Sequence, residues 1–408
     1  MKILLINGNY NGGGAAKIAI ELYEGLKKKD IDVSYMVGRG TVQNRDVKVI
    51  CNNWFVKVTH ALRRDIHGGV CYTNSYALNA IIEVVKKENV DIVHFHNIAN
   101  NYFGLEDLQK LTKYCKVVWT LHEMWALTGH CGHAMDCDFW KTSECKKCPD
   151  IKRDIALKYN CAHTVWEKKK NAFVGKGIIF VTPSVWLKKM CMESYLRNER
   201  VEVINNGIEL PNEVIKDKEC IRKKYGIAKN ANVMLFVAGK IYSEYKGFQY
   251  LQKAILCMEK TENYCLVMVG QGKPSIELTH KIKTYHFGRL TDKEKLNEIY
   301  AMSDLLVVPS VAENFPTVAI EALSEGTPIL AFNTGGIPEI IGSECGWIVD
   351  KYDIYSLKNK IIEIFNNKLE NINKKSEKCK ERANEMYSCD KMIQEYVNLY
   401  KRIIIERE

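Results

Sequence analysis

Residues 309–323 read Pro309-Ser310-Val311-Ala312-Glu313-Asn314-Phe315-Pro316-Thr317-Val318-Ala319-Ile320-Glu321-Ala322-Leu323. The apolar run Leu305–Pro309 leading into them has the length of a buried strand. A helix then opens at Pro316 or Thr317, because proline is favoured in a first helical turn. Glu313 therefore lies on the loop above the strand, and Glu321 on the second turn of the helix. The free N–H groups of that helix start, with the Thr317 hydroxyl, suit a phosphate. Carboxylates flanking such a site suit sugar hydroxyls. Two solvated surface acids are the plainer alternative, since acids also favour helix starts.

Working outward, strand, turn and amphipathic helix repeat along the chain. Asn232–Val237, Cys265–Val269, Thr284–Phe287 and Pro328–Ala331 read as strands, with helices at Phe248–Glu259, Asp292–Met302, Val318–Ser324 and Ser356–Asn366. A matching set fills the first half. Its strands are Lys2–Ile6, Ile31–Val37, Asp91–Phe95, Val117–Leu121 and Ile178–Val181, and its helices Ala15–Lys28, Asn79–Lys87 and Leu105–Lys113. This is an α/β chain with two doubly wound, Rossmann-like halves facing a central cleft at the carboxyl ends of their strands. The 408 residues suit that division. The expected domains are 1–210 and 211–385, with Leu210–Lys224 as linker. A charged helix over 386–408 is a candidate to pack back towards the first domain.

The net charge is +10, unevenly spread. Residues 151–200 hold 11 basic and 4 acidic side chains, whereas 301–350 hold 7 acidic ones and no Lys or Arg. That balance suits an anionic partner such as a nucleotide or an acidic membrane surface, and argues against a dedicated nucleic-acid binder. No run reaches the ~18 apolar residues of a membrane span, and the short apolar start reads as a strand rather than a signal peptide. A cytoplasmic protein is expected, so its 15 cysteines are read as free thiols or metal ligands. The turn Asn7–Ala16 carries Gly12, Gly13 and Gly14 ahead of a helix, a sensible anion site. It lacks G-x-G-x-x-G, and the second strand ends at Gly38-Arg39 without a ribose-binding acid, which speaks against a nicotinamide dehydrogenase.

These motifs together resemble glycosyltransferase family 4, of the two-Rossmann GT-B architecture. Glu313 and Glu321 match its E-x7-E signature, Gly12–Gly14 its glycine loop, and Thr120-Leu121-His122-Glu123 its T-x-H-[DE]. Thr182-Pro183-Ser184 and Ile204-Asn205-Asn206-Gly207-Ile208 look like the end of its first domain. Gly239-Lys240, Lys246-Gly247, Val269-Gly270-Gln271-Gly272 and Gly326-Thr327-Pro328 follow in family order. The resemblance implies retaining transfer of a hexose-type sugar from a nucleotide diphosphate, commonly UDP, with no cofactor needed for catalysis. By that resemblance Glu321 binds ribose hydroxyls and Glu313 those of the donor sugar, while Lys240 and Lys246 neutralise the leaving diphosphate. Thr317 and Gly14 contact phosphates, Arg289 and Leu290 the base, and His122 lies near the transferred sugar. Asn314 and Pro316 replace glycines of the common E-G-F-G form around Phe315, which bears on sugar preference. The resemblance implies catalysis by positioning and charge stabilisation, with the two domains closing over the donor.

Cys131, Cys137, Cys145 and Cys148 have zinc-ligand spacing, beside His130 and His133. Structural zinc, buried free thiols and a redox pair are the alternatives. Residues 165–173, with Lys168, Lys169, Lys170, Trp166 and Phe173, read as a helix that rests on the inner face of a membrane where a lipid-linked acceptor is presented. A solvated helix over core aromatics is the other reading. The functional expectation is a peripheral or cytoplasmic glycosyltransferase of surface polysaccharide biosynthesis, acting on a glycan or lipid-linked saccharide. A GT-B-fold nucleotide-sugar 2-epimerase and a zinc-stabilised nucleic-acid-binding module are the competitors. The module is disfavoured by 6 basic against 7 acidic groups over residues 101–150.

Overall fold

The computed structural model describes residues 1–10, 12–40, 42, 44–50, 70, 72–99, 102–211 and 217–406. They form two compact units: 1–207 with 389–408, and 208–388.

The first unit is built on a seven-stranded parallel sheet. Its strands are β1 (Lys2–Asn9), β2 (Asp32–Arg39), β3 (Val47–Val49), β4 (Ile92–Phe95), β5 (Lys116–Thr120), β6 (Ile178–Thr182) and β7 (Val201–Val203), in the order β3-β2-β1-β4-β5-β6-β7. Ile3, Leu4, Leu5 and Ile6 of β1 are all 0% exposed, as a central parallel strand covered on both faces requires. Helix Gly13–Lys28 follows and buries Ile18, Leu22 and Leu26, the stripe its spacing foretold. The helix Cys389–Ile405, last in sequence, belongs to this unit and buries Ile393, Tyr396, Tyr400 and Ile403.

The second unit holds a six-stranded parallel sheet: β8 (Asn232–Lys240), β9 (Tyr264–Gln271), β10 (Lys283–His286), β11 (Leu305–Val308), β12 (Ile329–Phe332) and β13 (Gly346–Val349), ordered β10-β9-β8-β11-β12-β13. In each sheet the order reverses beside the first strand, between β1 and β4 and between β8 and β11. Such a switch point is where doubly wound sheets open a crevice at their carboxyl ends.

Three strands lie outside the expected set. β3 and β7 have three residues each, too few for any periodicity to show, and β13 is a Gly-Trp-Ile-Val run behind a turn. The expected linker is corrected in its second half. Lys218–Lys224 is a helix capped by the Asp217 side chain, which accepts the Cys220 N–H at 2.9 Å. Arg222 on that helix is buried and pairs with Asp304 at 2.8 Å, so the helix is part of the second unit's packing.

The expected membrane-facing helix is corrected as well. Helix Ala162–Phe173 buries Val165, Trp166 and Phe173, and Lys169 is 0% exposed. The aromatics are core, and one of the lysines is too. Among the described residues no helix is long and apolar enough to cross a membrane.

Helix Thr317–Ser324 ends at Glu325, which is buried with neither carboxylate oxygen hydrogen-bonded among the described residues. Burial pushes its pKa up to about 7, against an opposing pull from Lys380. The native state therefore holds a proton that the unfolded chain, with its ordinary value of 4.5, releases earlier. Stability falls as pH rises from about 4.5 through about 7. Glu325→Gln should raise the thermal midpoint at pH 8 and leave it nearly unchanged at pH 4, read by calorimetry across that range. An equal shift at both pH values would show that the proton plays no part.

Candidate active site

In the second unit the site grows from the carboxyl ends of β8, β9, β11 and β12. Residues 310–316 follow β11 as a loop that is buried throughout. Two contacts clamp it to neighbouring turns. Val311 N–H donates to Tyr245 O at 2.9 Å, and Gly336 N–H donates to Asn314 O at 2.8 Å. Two glycines allow the close approach. A Cβ on Gly247 (φ +68°) would lie 1.8 Å from Pro309 O, and one on Gly335 (φ +57°) 2.0 Å from Glu313 O. Both have left-handed backbone that only glycine adopts without strain.

The product of this clamping is one short ion pair. Lys246 Nζ donates to Glu313 Oε1 at 2.6 Å, with Glu313 buried and Lys246 half-exposed. Asn314 and Phe315 complete the buried loop, and the Phe315 ring packs edge-on to Tyr387 at 5.7 Å. Thr317 is the first residue of helix Thr317–Ser324, with Pro316 before it. One turn on, the half-buried Glu321 accepts the Tyr300 hydroxyl at 2.9 Å.

The other expected donor residues are less engaged. Lys240 is exposed at the end of β8 and has no ion pair among the described residues. Arg289 is exposed, while Leu290 packs against the core. Gly288 O accepts the Gly270 N–H at 2.8 Å, which fixes the 288–290 turn beside β9. The structure thus joins Lys246 to Glu313 directly and leaves Lys240 and Arg289 free to meet a ligand.

In the first unit Gly14 is exposed in the opening turn of its helix, with open space where a side chain would be. His122 follows β5. Its Nε2 lies 3.0 Å from His96 Nδ1, and the two rings stack with centroids 5.3 Å apart. His96 follows β4 and stands two residues from His94, on the same face of the chain. His94 Nε2 meets Thr120 Oγ1 at 2.8 Å and its Nδ1 meets the Tyr400 hydroxyl at 2.7 Å, while Tyr396 OH reaches Thr120 Oγ1 at 2.8 Å.

Burial pushes His122 down to about 4 and His94 to about 3, and puts His96 far below the usual imidazole range. All three rings are therefore neutral near pH 7, each carrying one donor and one acceptor nitrogen. His96 and His122 line a pocket of about 230 Å³ with Asn97, Trp119, Glu123 and Trp125. His96 Nε2 is buried there without a hydrogen-bond partner among the described residues.

His94, His96, Tyr396 and Tyr400 were missed by reading motifs one at a time. A signal existed: His-Phe-His at a strand end places two imidazoles on one face, and Tyr396/Tyr400 stand one helical turn apart.

Cys131, Cys137, Cys145 and Cys148 are free thiols that line a single pocket with His130. Among the described residues no three His, Cys, Asp or Glu side chains stand together at metal-binding geometry.

Two Rossmann-like parallel-sheet units are the architecture of the GT-B class of glycosyltransferase, and in this chain a lysine–carboxylate pair stands above one sheet and an imidazole pocket above the other. Comparison with known proteins agrees. The profile of glycosyl transferases group 1 matches residues 217–386, and that of glycosyltransferase family 4 matches residues 12–211. The chain belongs to this family of glycosyltransferases. WcaC of Escherichia coli (strain K12), a glycosyl transferase assigned by name to colanic acid biosynthesis, is 26% identical over 427 residues, covering 99% of this chain and 100% of that one. A UDP-Gal:alpha-D-GlcNAc-diphosphoundecaprenol alpha-1,3-galactosyltransferase of Escherichia coli is 23% identical, over 54% of this chain and 59% of its own. Among solved structures, Anabaena HepE in complex with UDP superposes with TM-score 0.70 at 15% identity, covering 98% of this chain and 100% of that one.

Proposed function

We propose that this enzyme transfers a hexose-type sugar, with retention, from a UDP-linked donor to a saccharide or lipid-linked acceptor during surface polysaccharide assembly. The observation that carries the reading is the 2.6 Å Lys246–Glu313 pair at the mouth of helix Thr317–Ser324, with Glu321 one turn on. Lys246 holds Glu313 as a hydrogen-bond acceptor, which suits sugar hydroxyls. The ammonium keeps further N–H donors for the oxygens of a departing diphosphate. Lys240, Thr317 and the helix-start N–H groups add to that anion site, while Glu321 takes the ribose hydroxyls and Arg289 with Leu290 the base. A neutral His122, braced by His96, offers the sugar a hydrogen bond without a competing positive charge.

The relatives favour this donor and setting. WcaC is named for colanic acid biosynthesis, the galactosyltransferase for a UDP-sugar and a diphosphoundecaprenol-linked acceptor, and HepE was solved with UDP. The setting that goes with this proposal is the cytoplasm, at the inner face of the membrane when the acceptor is lipid-linked.

A panel of UDP-, GDP- and ADP-sugars, scored for nucleotide release with and without a membrane extract, tests it. Release should appear with a UDP-sugar and, at donor concentrations below KM, fall about 10–100-fold in Glu321→Ala, the scale of losing charge-assisted hydrogen bonds to the donor's ribose. If no donor binds or turns over, or if Glu321→Ala changes nothing, the reading fails.

A further inference from the structure

Residues 124–161, between β5 and helix Ala162–Phe173, contain only the 3-10 turn Met124–Ala126 and the four-residue helix Phe139–Thr142. Regular hydrogen bonding holds little of this segment. It nevertheless contains Met135, Glu144, Cys145 and Asp154, all at φ between 52° and 56°, a conformation L residues adopt only when their surroundings impose it. The same segment lines a pocket of about 350 Å³ with His130, Cys131, Cys137, Cys145 and Cys148.

His130 is set up as a ligand. Its Nδ1 lies 3.0 Å from Ile155 O, and a carbonyl only accepts, so Nδ1 carries the hydrogen and Nε2 is a bare lone pair. That lone pair faces Cys148 Sγ at 3.4 Å and Cys131 Sγ at 3.7 Å. A tetrahedral zinc with Zn–N of about 2.0 Å and Zn–S of about 2.3 Å puts its nitrogen and sulfur ligands about 3.5 Å apart. The carbonyl bond on the far nitrogen is the outer support usual for a metal-bound histidine. Cys145 Sγ accepts the Gly129 N–H at 3.3 Å, a contact that steadies a thiolate.

Charge bears on the pocket too. Lys169 is fully buried and donates to Trp125 O at 2.6 Å, Thr128 O at 3.0 Å and Gly129 O at 3.1 Å, yet no carboxylate pairs with it among the described residues. Burial pushes Lys169 down to about 7, and negative charge at Cys145, Cys131 or Glu123 would draw it back towards the ammonium.

We propose that one structural zinc ion is bound by His130, Cys131, Cys148 and Cys145, whose sulfur is held by the Gly129 N–H next to His130, with Cys137, which also lines the pocket, outside the ligand set. Binding displaces three thiol protons to solvent and leaves three zinc–sulfur bonds and one zinc–nitrogen bond. Among the described residues no three of these groups already stand at metal-binding geometry, so binding requires the sulfur-bearing turns to close around His130. The inference stands independently of the sugar-transfer reading.

The test uses the full, untagged chain, made in zinc-supplemented minimal medium and analysed by ICP-MS. About one zinc per chain is expected, falling below a tenth of that in Cys131→Ser, Cys148→Ser and His130→Gln and retained in Cys137→Ser. Where a variant fails to fold, cobalt(II) exchanged into the unaltered protein decides. A spectrum of three thiolates and one imidazole supports the site, whereas four thiolates removes His130 from it. Zinc far below one per chain in the unaltered protein overturns the proposal, as does retention by His130→Gln with loss in Cys137→Ser.

Discussion

Lys246→Ala should lower the rate of sugar transfer by about 10²–10³-fold, the scale of losing one preorganised donor to developing charge. Lys246 Nζ is 2.6 Å from Glu313, whose carboxylate is only 8% exposed. The substitution therefore removes the diphosphate's cation and strands a buried acid together. Glu313→Gln keeps the shape and most hydrogen bonding of that side chain, so it isolates the charge. The discriminating measurement is a double-mutant cycle on kcat/KM with a donor that the panel identifies. Residues acting as one unit should give a double variant scarcely worse than Lys246→Ala. Independent losses that multiply would mean the pair is not a unit in the transition state. Unfolding midpoints should accompany the kinetics, because the second unit must remain folded for the comparison to hold.

The largest effect on stability is expected at Lys169. Its ammonium donates to the carbonyls of Trp125, Thr128 and Gly129 and lies 3.7 Å from the centroid of the Trp125 ring. Lys169→Met fills a similar volume but leaves three buried carbonyls without a donor, each costing about 1–3 kcal/mol. Relief of the ammonium's own desolvation offsets part of that. We expect a net loss of about 3–5 kcal/mol in denaturant unfolding of the first unit. Lys169→Arg should restore little, since a planar fork cannot aim at three carbonyls converging on one point. An unchanged midpoint in Lys169→Met would show that the three bonds contribute nothing net.

Lys169 also marks where sequence reasoning stops. Counting charge over 151–200 finds an excess of lysine, but not which lysine is inside. That depends on carbonyls about forty residues away, at 125–129, which no local pattern encodes. The strands of both sheets were legible because apolar runs bounded by turns are local, and the three missed were short or at an edge. Glu313, Lys246 and His122 were legible as motif members. Their pairings were not, because Lys246–Glu313 spans 67 positions and His96–His122 joins the ends of adjacent strands. The four cysteines were visible by spacing alone, whereas the bare nitrogen of His130 emerges only once Ile155 O is seen to hold its other side.

The helix Cys389–Ile405 carries a consequence for how this chain is made. Tyr400 reaches His94 across 306 positions, and Tyr396 reaches Thr120 across 276. On a ribosome the seven strands of the first sheet emerge early but lack the helix that covers His94 and Thr120. The whole second unit, 208–388, is synthesised in between and can complete its own contacts first. The first unit, whose strands precede the second unit in the chain, therefore finishes folding after it, and its imidazole network closes only once Tyr396 and Tyr400 have emerged.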